Sequence, residues 1–149
     1  MAQTAVAFHF NAPNKLAYAC KLVRKLQRMD MPLVLTGEPD LLDAISAALW
    51  SFGGPAQFLP HCTSDAQAKV LSRSPTVLTA HLSNALPHQR VLLNLAAEIP
   101  AGFEQFERVI EVVSADDADD RQRARDRWRA YTAQGYAIER HDLVMKSDA

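Results

Sequence analysis

Apolar and polar side chains alternate from Thr4 to Phe10, which predicts a strand. The turn residues Asn11-Ala12-Pro13-Asn14 follow and offer an N-cap to a helix over Lys15 to Met29. In that helix Leu16, Ala19, Cys20, Val23 and Leu26 recur at spacings of three and four, while Lys21, Arg24, Lys25 and Arg28 fall outside the stripe. One face is therefore built to pack on a sheet and the other to meet water. A second unit repeats the plan. Pro32 to Gly37 is a short apolar strand ending in a glycine turn, and Pro39 stands at the first position of a helix over Asp40 to Ser51.

Gly53-Gly54-Pro55 breaks that helix, and three strand-like runs follow: Gln57 to Cys62, Thr76 to Ala80 and Val91 to Ala96. Thr63 to Ser74 is polar and reads as a loop in which Ala66 to Leu71 could form a helical turn. A short amphipathic piece, Gly102 to Glu107, leads into the strand Val109 to Val113. The last complete helix spans Asp116 to Gln134. Ser114 and Asp117 resemble a capping box, four aspartates complement the helix N-terminus, and Gly135 ends it. Tyr136 to His141 can add an edge strand. Strands alternating with amphipathic helices across short turns give an α/β class: one domain over 1-149, a mostly parallel sheet with helices on both faces, a Rossmann-like sandwich without a nucleotide-binding loop.

The final helix concentrates charge. Arg121, Arg123, Arg125, Arg127 and Arg129 occupy alternate positions around Trp128 and Tyr131. At about 100° per residue they do not share one face. With Arg121 at zero, Arg125 lies near about 40°, Arg129 near about 80° and Trp128 near about 340°, whereas Arg123 and Arg127 point elsewhere. Three guanidinium groups thus border one indole, an arrangement suited to a partner that brings carboxylates and an apolar side chain together. The competing account is a solvated face laced with local pairs such as Asp117 with Arg121, and Asp126 with Arg123 or Arg129.

Net charge narrows the partners. The chain has 149 residues, 48% of them hydrophobic, and a formal charge of −1, with 16 Lys+Arg against 17 Asp+Glu. A general electrostatic grip on nucleic acid needs a basic footprint, so any role near DNA must be indirect or very local. Direct single-strand binding by stacking on Trp128 and Trp50 would need a continuous basic groove, which the net charge argues against. The start, MAQTAVAFHF, lacks the basic region of a signal peptide, no run is long enough for a membrane span, and a cytoplasmic location is expected. Cys20 and Cys62 have no CxxC partner, so no disulfide framework or zinc site is expected.

Enzymatic motifs are missing from the sequence. Neither GxGxxG nor GxxxxGK[ST] is present, and the turn Thr36-Gly37-Glu38-Pro39-Asp40 carries carboxylates where a phosphate would need bare N–H groups. The five histidines are scattered without ligand spacing; His61 and Cys62, adjacent on a strand, face opposite sides. A triad of Ser51, His61 and Asp65 lacks a nucleophile elbow. No catalytic residue, metal site or cofactor is expected. A small-molecule α/β enzyme remains the alternative, and it requires groups such as His61, Asp65 or Glu38 to converge at the carboxyl ends of the strands. Phe8, Phe10, Tyr18, Phe103 and Phe106 sit at core spacings, while Trp50, Phe52, Phe58 and Pro60 cluster around the glycine break, as core or as an exposed patch for a protein partner.

Arg125-Asp126-Arg127-Trp128-Arg129-Ala130-Tyr131, followed by Gly135-Tyr136, resembles the C-terminal signature of the chi subunit family of bacterial DNA polymerase III. The resemblance continues in order through the N-terminal strand with its aromatic pair, the LAYACKLVRKL helix, the Asp43-to-Trp50 helix end, Phe58-Leu59-Pro60-His61, Val91 to Leu95, and Phe103 through Val113. It implies a non-catalytic clamp-loader accessory protein that binds the psi subunit as a heterodimer. It also implies capture of the acidic, phenylalanine-ended C-terminal tail of single-stranded DNA-binding protein, with DNA reached only indirectly. By motif position Arg121, Arg125 and Arg129 take the basic roles toward the tail and Trp128 the aromatic one, while Trp50, Phe58 and Pro60 fall in the psi-docking region. Arginine stands here where the family can carry lysine, and tryptophan where tyrosine is common. The Ser51 to Gln57 stretch departs from the family in length and glycine content.

Overall fold

The central strands Leu33–Thr36, Thr76–Thr79 and Val91–Asn94 are buried at every position because both of their faces are covered. In a computed structural model, which describes residues 3–51, 62–63, 76–82, 86 and 88–143, with the side chains of 50, 51, 62 and 63 outside that description, the sheet has the order β3-β4-β2-β5-β6-β1-β7 and every pairing is parallel. The elements are β1 (Ala5–Ala12), α1 (Lys15–Arg28), β2 (Leu33–Thr36), α2 (Pro39–Ser51), β3 (Cys62–Thr63), β4 (Thr76–Thr79), β5 (Val91–Asn94), a 3-10 turn (Phe103–Gln105), β6 (Arg108–Ser114), α3 (Ala118–Ala133) and β7 (Ile138–Asp142).

Successive strand residues feed opposite layers. Leu33, Leu35, Leu93 and Val112 pack with Ala19, Cys20, Val23 and Leu26 of α1 and with Ile45 and Leu49 of α2. On the other face Val6, Phe8, Val34, Leu92 and Val109 pack with Phe103 and with Ala124 and Tyr131 of α3. The expected α/β class, with helices on both faces of a parallel sheet, is what this chain adopts. β7 pairs with β1 at the sheet edge.

Local signals set most boundaries. Asn14 caps α1, its Oδ1 accepting the Ala17 N–H at 3.0 Å. Pro39 opens α2. Gly135 has φ 89°, and the Tyr136 and Gly135 N–H groups bond the Tyr131 and Thr132 carbonyls, the two bonds of a Schellman closure. Two expectations need correction. α3 starts at Ala118 and its cap is Asp117, whose Oδ1 accepts the N–H groups of Asp119 and Asp120; Ser114 Oγ instead takes those of Asp116 and Asp117 just outside the helix. β5 stops at Asn94 rather than Ala96, because the Asn94 amide accepts the Ala96 N–H and donates to the Glu98 carbonyl, turning the chain. Most of the strand expected over Gln57 to Cys62, and the Ala66 to Leu71 turn, lie outside the described residues.

Candidate functional site: an arginine-rimmed aromatic groove

α3 lies on the sheet with Ala124, Arg127 and Tyr131 buried. That choice of buried side fixes what the next sector of the helix does. Trp128 falls at its edge, half-buried, and Arg121, Arg125 and Arg129 or their neighbours project past it toward solvent. The Trp128 ring packs edge-on against Phe8 of β1, with centroids 5.0 Å apart and planes at 61°. Phe8 is in turn held edge-on by Tyr131 at 6.0 Å. A rigid aromatic wall thus stands behind the arginines.

Around this wall runs an open groove of about 480 Å³. Arg121, Arg125, Trp128 and Arg129 all line it, as do Phe8, Phe10 and Val113 from the strands. Arg140 of β7 closes the far side, its guanidinium carbon 5.4 Å from the Phe10 centroid and 5.9 Å from that of Trp128, within cation–π range of both. Four arginines therefore surround the groove and, among the described residues, no carboxylate lines it. The pairing that a solvated face would show is weak here. Asp117 is committed to the helix cap and not to Arg121, whose Nη1 donates to the Ala115 carbonyl at 3.4 Å. Arg125 Nη1 donates to Gln122 Oε1 at 3.1 Å, and Arg129 meets Asp126 at only 3.9 Å. The guanidinium groups are left with donor capacity facing the groove, which fits carboxylates beside an apolar side chain.

Two contributors come from long-range pairing. Phe10 is half-buried and walls the groove, which corrects its reading as core; Phe8 is both core and groove floor. A bulge in β1 explains the rim. The register with β6 jumps from His9↔Val112 to Ala12↔Ser114, and Asn11 takes φ 65°. Asn11 then borders the groove, and its Nδ2 donates to Asp142 Oδ1 of β7 at 2.9 Å. Arg140 and Asn11 belong to the groove although helical projection alone does not reach them.

Behind the groove lies a buried polar network. Arg127 Nε donates to Glu111 Oε1 at 2.9 Å; Tyr131 Oη and Asn94 Nδ2 donate to Glu111 Oε2 at 2.7 and 2.9 Å. Arg127 Nη1 also donates to the Ala97 carbonyl at 2.8 Å. Arg127 and Glu111 are both almost fully buried. Burial pushes the Glu111 carboxyl above its ordinary range, against the pull of Arg127, Asn94 and Tyr131; burial and then Glu111 push the Tyr131 hydroxyl far up, so it stays a donor. Arg127 is thus structural. Its signal in the sequence was Glu111, a lone acid inside the apolar run Val109 to Val113.

The other candidates fall largely outside the described residues. Glu38 lines a cleft with His81 and Glu98 at the carboxyl ends of β2, β4 and β5, while His61 and Asp65, its expected companions, lie outside the described residues. Trp50 belongs to α2, with its side chain outside the description; Phe58 and Pro60 lie outside it altogether. Cys20 is a free, buried thiol that burial pushes up. Among the described residues no three His, Cys, Asp or Glu side chains gather as a metal site.

Comparison with known proteins joins this geometry to a lineage. The family model described as DNA polymerase III chi subunit, HolC, matches residues 3–139, a span that takes in every groove-lining residue except Arg140. A curated relative, DNA polymerase III subunit chi of Pseudomonas aeruginosa, is 34% identical over 130 residues covering 87% of each chain. A match running from β1 through α3 to the start of β7, with that identity across nearly all of both chains, shows that this chain belongs to the DNA polymerase III chi subunit family.

Proposed function

We propose that the groove is a receptor for an acidic peptide tail ending in an aromatic residue, the C-terminal tail of single-stranded DNA-binding protein. The chain is then a non-catalytic accessory subunit of the clamp-loader assembly that also binds the psi subunit. In this role it links the replisome, in the cytoplasm, to coated single-stranded DNA, which it reaches there through the protein coat. The observation that carries the reading is the groove's composition: four arginines, the half-buried rings of Trp128 and Phe10 and, among the described residues, no acid. Arg121, Arg125, Arg129 and Arg140 take carboxylates, and the terminal aromatic ring lies against Trp128 and Phe10. Preformed aromatic contacts at 5.0 Å and 6.0 Å spare the ordering of the wall on binding. The psi contact is assigned to Trp50, Phe58 and Pro60 on the resemblance alone.

Titration of a fluorescent peptide carrying several acidic residues and a terminal phenylalanine tests the receptor. Arg125→Ala and Trp128→Ala should each cost roughly 1 to 3 kcal/mol of binding, and raised salt should weaken the wild-type complex strongly. Unchanged affinity in both variants contradicts the assignment.

A further inference from the structure

We propose that the outward pole of α1 is a second binding surface, independent of the groove, for the phosphodiester backbone of single-stranded DNA. α1 carries five Lys and Arg and no acid in 14 residues. The remaining 135 residues hold 11 Lys+Arg against 17 Asp+Glu, so the chain's net charge of −1 conceals one strongly cationic element. Lys15 is spent on Asp120, 2.9 Å away. The other four are concentrated. With Lys21 at zero, Arg24, Lys25 and Arg28 project at about 300°, 40° and 340°, a sector of about 100°.

That sector lies opposite the buried stripe of Ala19, Cys20, Leu22, Val23 and Leu26. Lys21, Lys25 and Arg28 are exposed and Arg24 partly so. Among the described residues no carboxylate lies within ion-pair distance of any of the four; Asp40 and Asp43 on the neighbouring α2, and Asp30 beyond the helix end, are exposed and engage none of them. An ordinary solvated helix face alternates signs so that positions three and four apart attract. Here Lys21 with Lys25, Arg24 with Arg28, Lys21 with Arg24 and Lys25 with Arg28 all repel. The helix dipole accounts for Lys25 and Arg28 in the last turn, but not for Lys21 and Arg24 a turn earlier. A local rule broken this consistently, without internal compensation, marks a surface whose counter-charge comes from outside.

The pole's shape selects the occupant. The cations span about 10 Å of helix axis, on the convex side of a helix. A flexible single strand can drape its phosphates along such a row. Met29, 55% exposed and the one large exposed hydrophobic side chain among the described residues, stands at the end of the row, where an unpaired base can rest on it. The contact reads backbone charge and not sequence. The pole and the arginine groove lie on opposite faces of the sheet.

Fluorescence anisotropy of the full chain with a labelled oligo-thymidylate strand, in low salt, tests this surface. Binding should weaken with salt with a logarithmic slope of about −2 to −3, as three to four phosphate contacts require. Lys21→Glu with Lys25→Glu should weaken it roughly tenfold or more, while affinity for the acidic peptide stays as in the wild type. The neutral pair Lys21→Gln with Arg28→Gln relieves repulsion, keeps the fold, and should reduce the slope by about 1.4. No binding in low salt, or binding unchanged in both variant pairs, overturns the proposal. So does binding lost in Arg125→Ala instead, which would locate the strand in the groove. An oligo-glutamate peptide that competes equally, or a duplex that binds more tightly, would overturn the choice of single-stranded DNA.

Discussion

Asp120 ties three elements together with one carboxylate. Its Oδ2 accepts the Ser114 N–H at the end of β6 at 2.8 Å, and its Oδ1 accepts Lys15 Nζ from the first turn of α1 at 2.9 Å. Burial pushes this carboxyl up, but the Ser114 N–H and the Lys15 ammonium together outweigh it, and the pKa ends below its ordinary value. A depressed folded pKa contributes stability above the unfolded value, near about 3.9, that is lost as pH falls through the folded one. Asp120→Asn should therefore cost about 1 to 2 kcal/mol near neutral pH, and the gap in thermal midpoint between the two proteins should close below about pH 4. A gap that persists in acid contradicts this role. The groove residues differ in how far the sequence discloses them. Arg121, Arg125, Arg129 and Trp128 follow from helical rotation, which is fixed by backbone geometry within one segment. Arg140 and Phe10 meet only because β7 pairs with β1, a contact of high sequence separation that no local pattern encodes.

α3 is held at the orientation the groove needs by more than apolar packing. Ala124 and Tyr131 bury themselves on the sheet, and the Arg127–Glu111 pair bolts the same side of the helix to β6. Removing one partner strands a buried charge. Arg127→Leu should destabilise the chain by about 3 to 5 kcal/mol, whereas Arg127→Met with Glu111→Leu should recover much of the loss, as urea unfolding would measure. Equal destabilisation by the single and double variants would show that the pair is not the fastening. Element identities were legible from period and punctuation: Asn14, Pro39 and Gly135 each stand at the terminus their chemistry favours. The helix start is ambiguous in the sequence because two capping-type side chains, Ser114 and Asp117, sit three residues apart, and only the hydrogen bonds decide which caps the helix. Glu111 was present in the sequence as an acid among valines, but its partner could be matched only once β6 and α3 were packed.

At the scale of the molecule, a parallel sheet covered on both sides separates two charged surfaces. The groove is assembled from β1, β6, α3 and β7, which adjoin at one end of the strand order, so its walls come from opposite ends of the chain. The cationic pole of α1 belongs to the other layer. Net charge alone hides this division. The α/β class was readable from alternating strands and helices, whereas the strand order was not, since every parallel connection permits several placements. The central claim is that an acidic, phenylalanine-ended peptide seats in the groove, and nuclear magnetic resonance mapping of that peptide on the isotope-labelled chain tests it most directly. The account predicts saturable shifts of the Trp128 indole N–H and of the Arg121, Arg125, Arg129 and Arg140 side-chain signals, with little change at Glu38 and His81. Shifts confined to the Glu38–His81 cleft, or to any surface away from Trp128, would contradict it.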